Sequence, residues 1–255
     1  MGLYKIEGIV LRRRSFGEAD RLVTVLTRDR GKLTVVAKGA RRPRSRLGGR
    51  LEPPTRFRAL VAEGRTLDVI SQVDVIDAHP QLRTGLERMG LTNIALEMAD
   101  RALADRHPHP DVYGLLTEVL ALLNAGVGEL APVWFAARLL VLTGHRPSVD
   151  QCLVCGRRIR GPAGWSAVLG GCVDSGCRGR DPHAMPLSSG AVALLRFLLD
   201  ARPSAVRRVH PGPPCKTELG RALRVYAEVT WDTRLRAPAV VSRLLRTEEA
   251  RAVVY

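Results

Sequence analysis

The chain has 255 residues, 45% of them hydrophobic and 25% charged, an apolar content that excludes disorder as the main state. Forty basic residues against 25 acidic ones leave a formal charge of +15, which draws polyanions: nucleic acid first, an anionic membrane surface second. No apolar run approaches the ~18 residues of a membrane span, and the start, MGLYKIEGIV, lacks the charged stretch and unbroken apolar core of a signal peptide. A cytoplasmic protein is expected, its five cysteines reduced or bound to metal.

The charge is divided unevenly. Residues 1–80 hold 17 basic and 9 acidic side chains, net +8; residues 81–150 hold 6 and 8, net −2; residues 151–255 hold 17 and 8, net +9. Only Lys5, Lys32, Lys38 and Lys216 are lysines, a bias that GC-rich coding produces. Coding bias alone would not leave the middle of the chain acidic.

In chain order, Ile6–Leu11, Leu22–Thr27 and Leu33–Lys38 are short β-branched and apolar runs, and Thr27 to Gly31 is a hairpin connection with glycine placed for positive φ. Phe57–Ala62 and Leu67–Val75, joined at Glu63-Gly64, complete five strands within 1–80. That number suits a small barrel, of OB or SH3-like type, and the OB-fold is the commoner nucleic-acid binder. After Pro80 the spacing turns helical over Leu82–Leu103, Val112–Leu123 and Val133–Leu142. Residues 150–185 form a Gly, Cys and Arg island, after which helices are predicted over Ser188–Leu199, capped by Ser188 or Ser189, and Thr217–Trp231. The expected class is α+β: a five-stranded OB-fold barrel over 1–80, a helical domain in two parts over 81–149 and 186–255, and an embedded zinc-binding subdomain over 150–185.

Two motifs carry chemistry. Cys152-Leu-Val-Cys155 and Cys172-Val-Asp-Ser-Gly-Cys177 are close pairs separated by 16 residues, the pattern of a closed, structural zinc site with four thiolate ligands. An island with little apolar content folds more readily around such an ion. Cys215 lies outside the pattern and reads as a plain thiol. The second motif runs from Lys38 through Arg41, Arg42, Arg44 and Arg46 to Arg50: six cations in 13 residues and no acid. Arg12, Arg13 and Arg14, at the end of the first strand, extend it. The only rings in residues 1–80 are Tyr4, Phe16 and Phe57, each of which a barrel core can absorb. Binding is therefore expected to be led by phosphate contacts, tolerant of single strands and duplexes, and steeply salt-dependent.

Signatures of catalysis are missing: there is no phosphate-binding Gly-x4-Gly-Lys loop, Gly-x-Ser-x-Gly elbow or His-Glu-x-x-His motif. Glu18 and Asp20 read as turn residues pairing with Arg21, and His107 and His109 as residues at a helix end. A non-enzymatic protein is expected.

The stretches Glu7-Gly8-Ile9-Val10-Leu11, Phe16-Gly17-Glu18-Ala19-Asp20, Leu26-Thr27, Gly31 and Val36-Ala37-Lys38-Gly39-Ala40-Arg41 resemble the amino-terminal signature of the bacterial RecO recombination mediators. Helices, a four-cysteine island and a closing helical segment follow in that family's order. The resemblance implies an OB-fold, one structural Zn2+ and a DNA repair role in the RecF pathway without ATP hydrolysis. It implies binding of single- and double-stranded DNA, annealing of strands coated with single-strand-binding protein, and action with RecR to load RecA, on the nucleoid and away from membranes. Lys38, Arg41, Arg42, Arg44 and Arg46 match the family's basic loop. Charge complementarity further suggests that the acidic tail of single-strand-binding protein docks on Arg196, Arg207, Arg208, Arg221 and Arg224. A non-catalytic RNA-binding protein of the same build is the alternative, and a zinc-supported nuclease lacks the acidic cluster that two-metal chemistry needs.

Overall fold

The computed structural model describes residues 2–252, with side chains described as far as residue 244. Five strands, β1 (Leu3–Phe16), β2 (Asp20–Thr27), β3 (Gly31–Ala37), β4 (Arg56–Ala62) and β5 (Asp68–Asp77), close in the order β1-β2-β3-β5-β4. All neighbours are antiparallel except β3 and β5, which run parallel. This is the closed five-stranded barrel of the OB type. Alternation explains it: Ile6, Val10, Val23, Val25, Leu33, Val35, Phe57 and Val61 point inward and share one buried cluster.

The outward residues Ile9, Leu11 and Leu26 belong to a second, larger cluster with the helices. The barrel thus presents an apolar outer face to α1 (Leu86–Ala102) and α2 (Pro110–Asn124). Ion pairs flank that contact: Arg12 Nε lies 2.6 Å from Asp100, Lys32 Nζ 3.3 Å from the same carboxylate, and Arg106 2.9 Å from Asp68. Gly31 is required at the junction. Its φ is +70°, and a Cβ there would lie 2.0 Å from the His107 carbonyl oxygen.

The rest of the helical layer is α3 (Leu130–Leu142), α4 (Ser189–Asp200), the single turn α5 (Pro203–Val206), α6 (Pro213–Thr230) and α7 (Ala237–Ala252). Ser188 caps α4, accepting from the Ala191 N–H. No helix among the described residues is long and apolar enough to cross a membrane. Helix α7 lies on α1 closely enough that a Cβ on Gly90 would meet Val241 at 2.8 Å. Helix α7 lies beyond the last helix predicted individually, Thr217–Trp231, although Ala237, Val240, Val241 and Leu244 recur at helical spacing.

The island has a small antiparallel sheet, β6 (Ala163–Ser166), β7 (Gly171–Val173) and β8 (Met185–Leu187), in the order β7-β6-β8. Its Trp165 is fully buried and donates to the Ala222 carbonyl of α6 at 3.1 Å, anchoring the island to the helices.

Candidate nucleic-acid interface and metal centre

The basic loop leaves β3 as expected, but Arg12–Arg14 lie within β1, which continues to Phe16 as one arm of a hairpin with β2. The partner β4 stops pairing at Ile9, so Arg12 to Phe16 pair with β2 alone. The hairpin turn is fastened to the basic loop. Gly39 N–H donates to the Asp20 carboxylate at 2.7 Å, Arg41 N–H to the Ala19 carbonyl at 2.9 Å, and the Arg41 guanidinium to the Gly17 carbonyl at 3.0 Å. Asp20 therefore organises the loop instead of pairing with Arg21, which lies 3.0 Å from Glu52.

The nine cations expected to contact nucleic acid divide into two groups. Arg12 is held by Asp100 and Arg13 by Glu52, 2.7 Å away. Arg50 donates to the Val73 carbonyl at 2.9 Å, fixing the end of the loop. Arg14, Lys38, Arg41, Arg42, Arg44 and Arg46 are exposed and form no ion pair among the described residues. Those six cations form a rim on the hairpin and the loop tied to it; the loop from Lys38 to Arg50 has no acid, and Glu18 is the exposed acid of the hairpin turn.

Three of the four expected zinc ligands come together. The Sγ atoms of Cys152, Cys155 and Cys177 lie within 4.8 Å of one another. Burial opposes a thiolate at Cys152, but the backbone N–H groups of Asp174, Cys155 and Val154 hold it down to about 7. Of these, Asp174 N–H reaches Cys152 Sγ at 3.1 Å and Val154 N–H at 3.4 Å. Gly156 follows the first pair at φ +73°, as a tight knuckle turn requires. The donor set suits a soft, thiolate-binding cation such as Zn2+. Cys172 is outside the group: it sits on β7 opposite Trp165, fully buried in the core, and burial pushes its thiol up to about 11. Cys215 lies apart near Ser188, and neither His107 nor His109 belongs to a metal-type cluster among the described residues.

The five cations proposed to dock an acidic tail are scattered. Arg196 is occupied by Asp150 at 2.9 Å and by the Val149 and Ile159 carbonyls at 2.8 and 2.7 Å. Arg224 pairs with Glu228 at 3.2 Å. Arg207 and Arg208 follow α5, and Arg221, exposed on α6, borders an apolar groove that includes Leu91, Met98, Val133 and Val241.

Residues 1–79 match the family model described as Recombination protein O N terminal, and residues 83–237 match Recombination protein O C terminal. The chain belongs to the RecO family. A DNA repair protein RecO from Desulforudis audaxviator is 42% identical over 200 residues, 78% of this chain and 80% of its own length. RecO of Heliobacterium modesticaldum is 34% identical over 98% of this chain and 93% of its own. RecO of an Anaeromyxobacter strain is 36% identical over 93% and 95%. The family's N-terminal model spans the barrel with its basic rim, and its C-terminal model spans the thiolate cluster.

Proposed function

We propose that this RecO-family chain is a DNA repair and recombination mediator of the RecF pathway that binds single- and double-stranded DNA and anneals strands coated with single-strand-binding protein. It would then act with RecR in loading RecA. The observation that carries this is the rim of exposed cations without ion pairs, Arg14, Lys38, Arg41, Arg42, Arg44 and Arg46, on an OB-type barrel. Cations without acidic partners release counterions from phosphate when they bind, giving sequence-independent affinity that salt weakens. A protein holding two backbones offsets their mutual repulsion and lets complementary bases find register. Base pairing then supplies the specificity, and no bond is made or broken by the protein. Arg12, Arg13 and Arg50 position this surface more than they contact DNA.

A structural Zn2+ on Cys152, Cys155 and Cys177 belongs to the proposal. It would supply the folding free energy that an island of strands three and four residues long lacks. Cys172, the remaining cysteine of the two pairs, is the fourth ligand of the proposal. Of the five cations considered for the acidic tail of single-strand-binding protein, exposed Arg221 is the one we favour on charge complementarity.

The test is annealing of complementary oligonucleotides precoated with single-strand-binding protein, without ATP, across a salt series. Annealing that fades as salt rises supports the proposal. Tight binding to bare strands without annealing overturns the mediator role, and a preference for RNA of equal length moves the assignment to an RNA-binding protein.

A further inference from the structure

Phosphate contacts do not distinguish a single strand from a duplex, yet the rim contains one group able to do so. Phe16 stands at the end of β1 with 44% of its surface exposed. It is the only exposed Phe, Tyr or Trp ring among the described residues. Trp134, Trp165, Phe57 and Phe135 are core. Tyr4 is half-buried, donates to Asp68 at 2.6 Å and lies under the Arg30 guanidinium at 4.1 Å. Leaving a phenyl ring in water forgoes the stabilisation of burying it. Here the exposure falls beside Arg14 and the acid-free Lys38–Arg50 loop, with exposed Glu18 two residues further on in the turn.

Placement makes this more than a stray apolar residue. Phe16 and Arg14 are two residues apart on a paired strand, so both project from the same face of the hairpin, roughly 6.6 Å apart along the chain. The turn after Phe16 is tied to the basic loop through Asp20, Ala19 and Gly17, so the ring keeps its position relative to Lys38 and Arg41. On the opposite strand Phe16 faces Asp20, whose carboxylate is already engaged by the Gly39 N–H. The strand edge from Arg12 to Phe16 has no second partner strand to cover it.

We propose that Phe16 is a stacking platform for an unpaired base of single-stranded DNA whose phosphates lie on Arg14 and the Lys38–Arg46 loop. This rests on the DNA-binding function proposed above and deepens it. A base in a duplex has both faces stacked, whereas a base in a single strand offers a free face to the ring. The rim supplies affinity for any backbone, and Phe16 adds a preference for the unpaired strand that annealing must start from.

The experiment measures binding of the full-length protein to a fluorescent dT oligonucleotide, an rU oligonucleotide and a blunt duplex of the same length, for wild type, Phe16→Ala, Phe16→Leu and Phe16→Trp. Phe16→Ala and Phe16→Leu should each weaken dT binding by about tenfold and duplex binding by less than about twofold, with an unchanged salt slope. Phe16→Trp should retain dT binding, and its indole should be quenched by dT but not by the duplex. Phe16→Leu keeps an apolar side chain, so a general folding defect would appear equally on the duplex. Equal losses on dT and duplex, or no loss on dT, overturn the platform. So does a loss confined to rU, which would assign the ring to RNA. If wild type binds none of the three, the DNA-binding function itself falls.

Discussion

The two basic ends of the chain carry nearly the same net charge, +8 over residues 1–80 and +9 over residues 151–255, and deploy it differently. In the barrel six exposed cations without ion pairs sit on one hairpin and the loop tied to it, with Glu18 at the hairpin turn and no acid from Lys38 to Arg50, while Lys5, Arg28, Arg30 and Arg65 lie elsewhere on it. In the carboxy-terminal part they are dispersed over Arg157, Arg158 and Arg160 of the island, Arg178 and Arg180 after β7, Arg207 and Arg208 after α5, and Arg221 on α6. Others there are already used: Arg196 by Asp150, Lys216 by Glu129 and Arg224 by Glu228. Net charge announces the sign of a partner. The absence of local counter-charges is the basis for proposing where that partner binds, because a cation held by a carboxylate releases little when phosphate arrives.

The most direct way to break this comparison is to remove equal charge from both regions. Substituting Arg41, Arg42, Arg44 and Arg46 together by Ala should weaken binding to single strands by at least a hundredfold at low salt. The slope of log affinity against log salt should fall by about 3, at about 0.7 for each phosphate that is no longer neutralised. Substituting Arg157, Arg158, Arg160 and Arg178 together by Ala should cost less than tenfold and change the slope by less than about 1. Fluorescence anisotropy across a salt series measures both. Similar losses in the two variants would show that location carries no weight.

Metal content sharpens the difference further. As purified, the protein should hold one zinc per chain, and a strong chelator should expose the Cys155 and Cys177 thiols and lower the thermal midpoint. DNA binding through the barrel rim should survive, since the barrel has its own core. Cys177→Ala should lose most of the metal and Cys172→Ala should weaken its retention, while Cys215→Ala, outside the two pairs, should leave it unchanged. Full retention in Cys172→Ala would show that the three clustered thiolates hold the metal without it. Zinc measured by atomic absorption, with thiol titration alongside, separates these outcomes.

The same contrast explains what was readable in the sequence. The barrel strands show as short β-branched and apolar runs because one face lines the barrel core and part of the other packs on the helices, and Leu22–Thr27 and Phe57–Ala62 fall within β2 and β4. The extension of β1 through Arg12–Phe16 gave no such signal, since Arg12–Ser15 are polar on both faces and its order comes from pairing with β2. The three-residue strands of the island are too short for a period to show. Spacing marked four cysteines, but strand register decided which three would meet: Cys172 lies opposite Trp165 and belongs to the core. Of the rim, the loop cations were evident from composition. The engagement of Arg12 and Arg13 by Asp100 and Glu52 joins residues 88 and 39 positions apart along the chain, which no local pattern reveals. Phe16 looked like core because a ring in a strand usually is.

Smaller effects probe the cations that are already engaged. Arg196→Ala should leave DNA affinity within about twofold of wild type, because its guanidinium serves the Val149 and Ile159 carbonyls and Asp150. It should instead destabilise the fold by about 2 kcal/mol, the scale of leaving such acceptors unsatisfied. The thermal midpoint would fall by roughly 4–8 °C. Calorimetry and anisotropy on the same preparation separate the two readouts. A large loss of DNA binding at unchanged stability would place Arg196 among the contacting cations.

The smallest expected effect comes from Glu7, which neutralises two barrel cations, Arg56 at 2.6 Å and Arg58 at 3.1 Å. The hydrogen bond from Arg56, with those from Arg58 and Tyr113, holds its carboxyl below its ordinary 4.5 despite partial burial. A depressed carboxyl pKa contributes stability that is complete above the ordinary value and lost as pH falls through the folded value. Glu7→Gln should therefore be less stable than wild type at pH 7, with the difference shrinking below about pH 4.5. Exposed Arg58 would at the same time lose its counter-charge, so the variant should bind duplex slightly more tightly and show a salt slope steeper by at most about 1. Thermal midpoints at several pH values, with one salt titration, test both halves. A constant stability difference at every pH would show that the Glu7 charge does not hold Arg56. An unchanged salt slope would show that a cation freed away from the hairpin and its loop does not reach the DNA, which confines the interface to the rim.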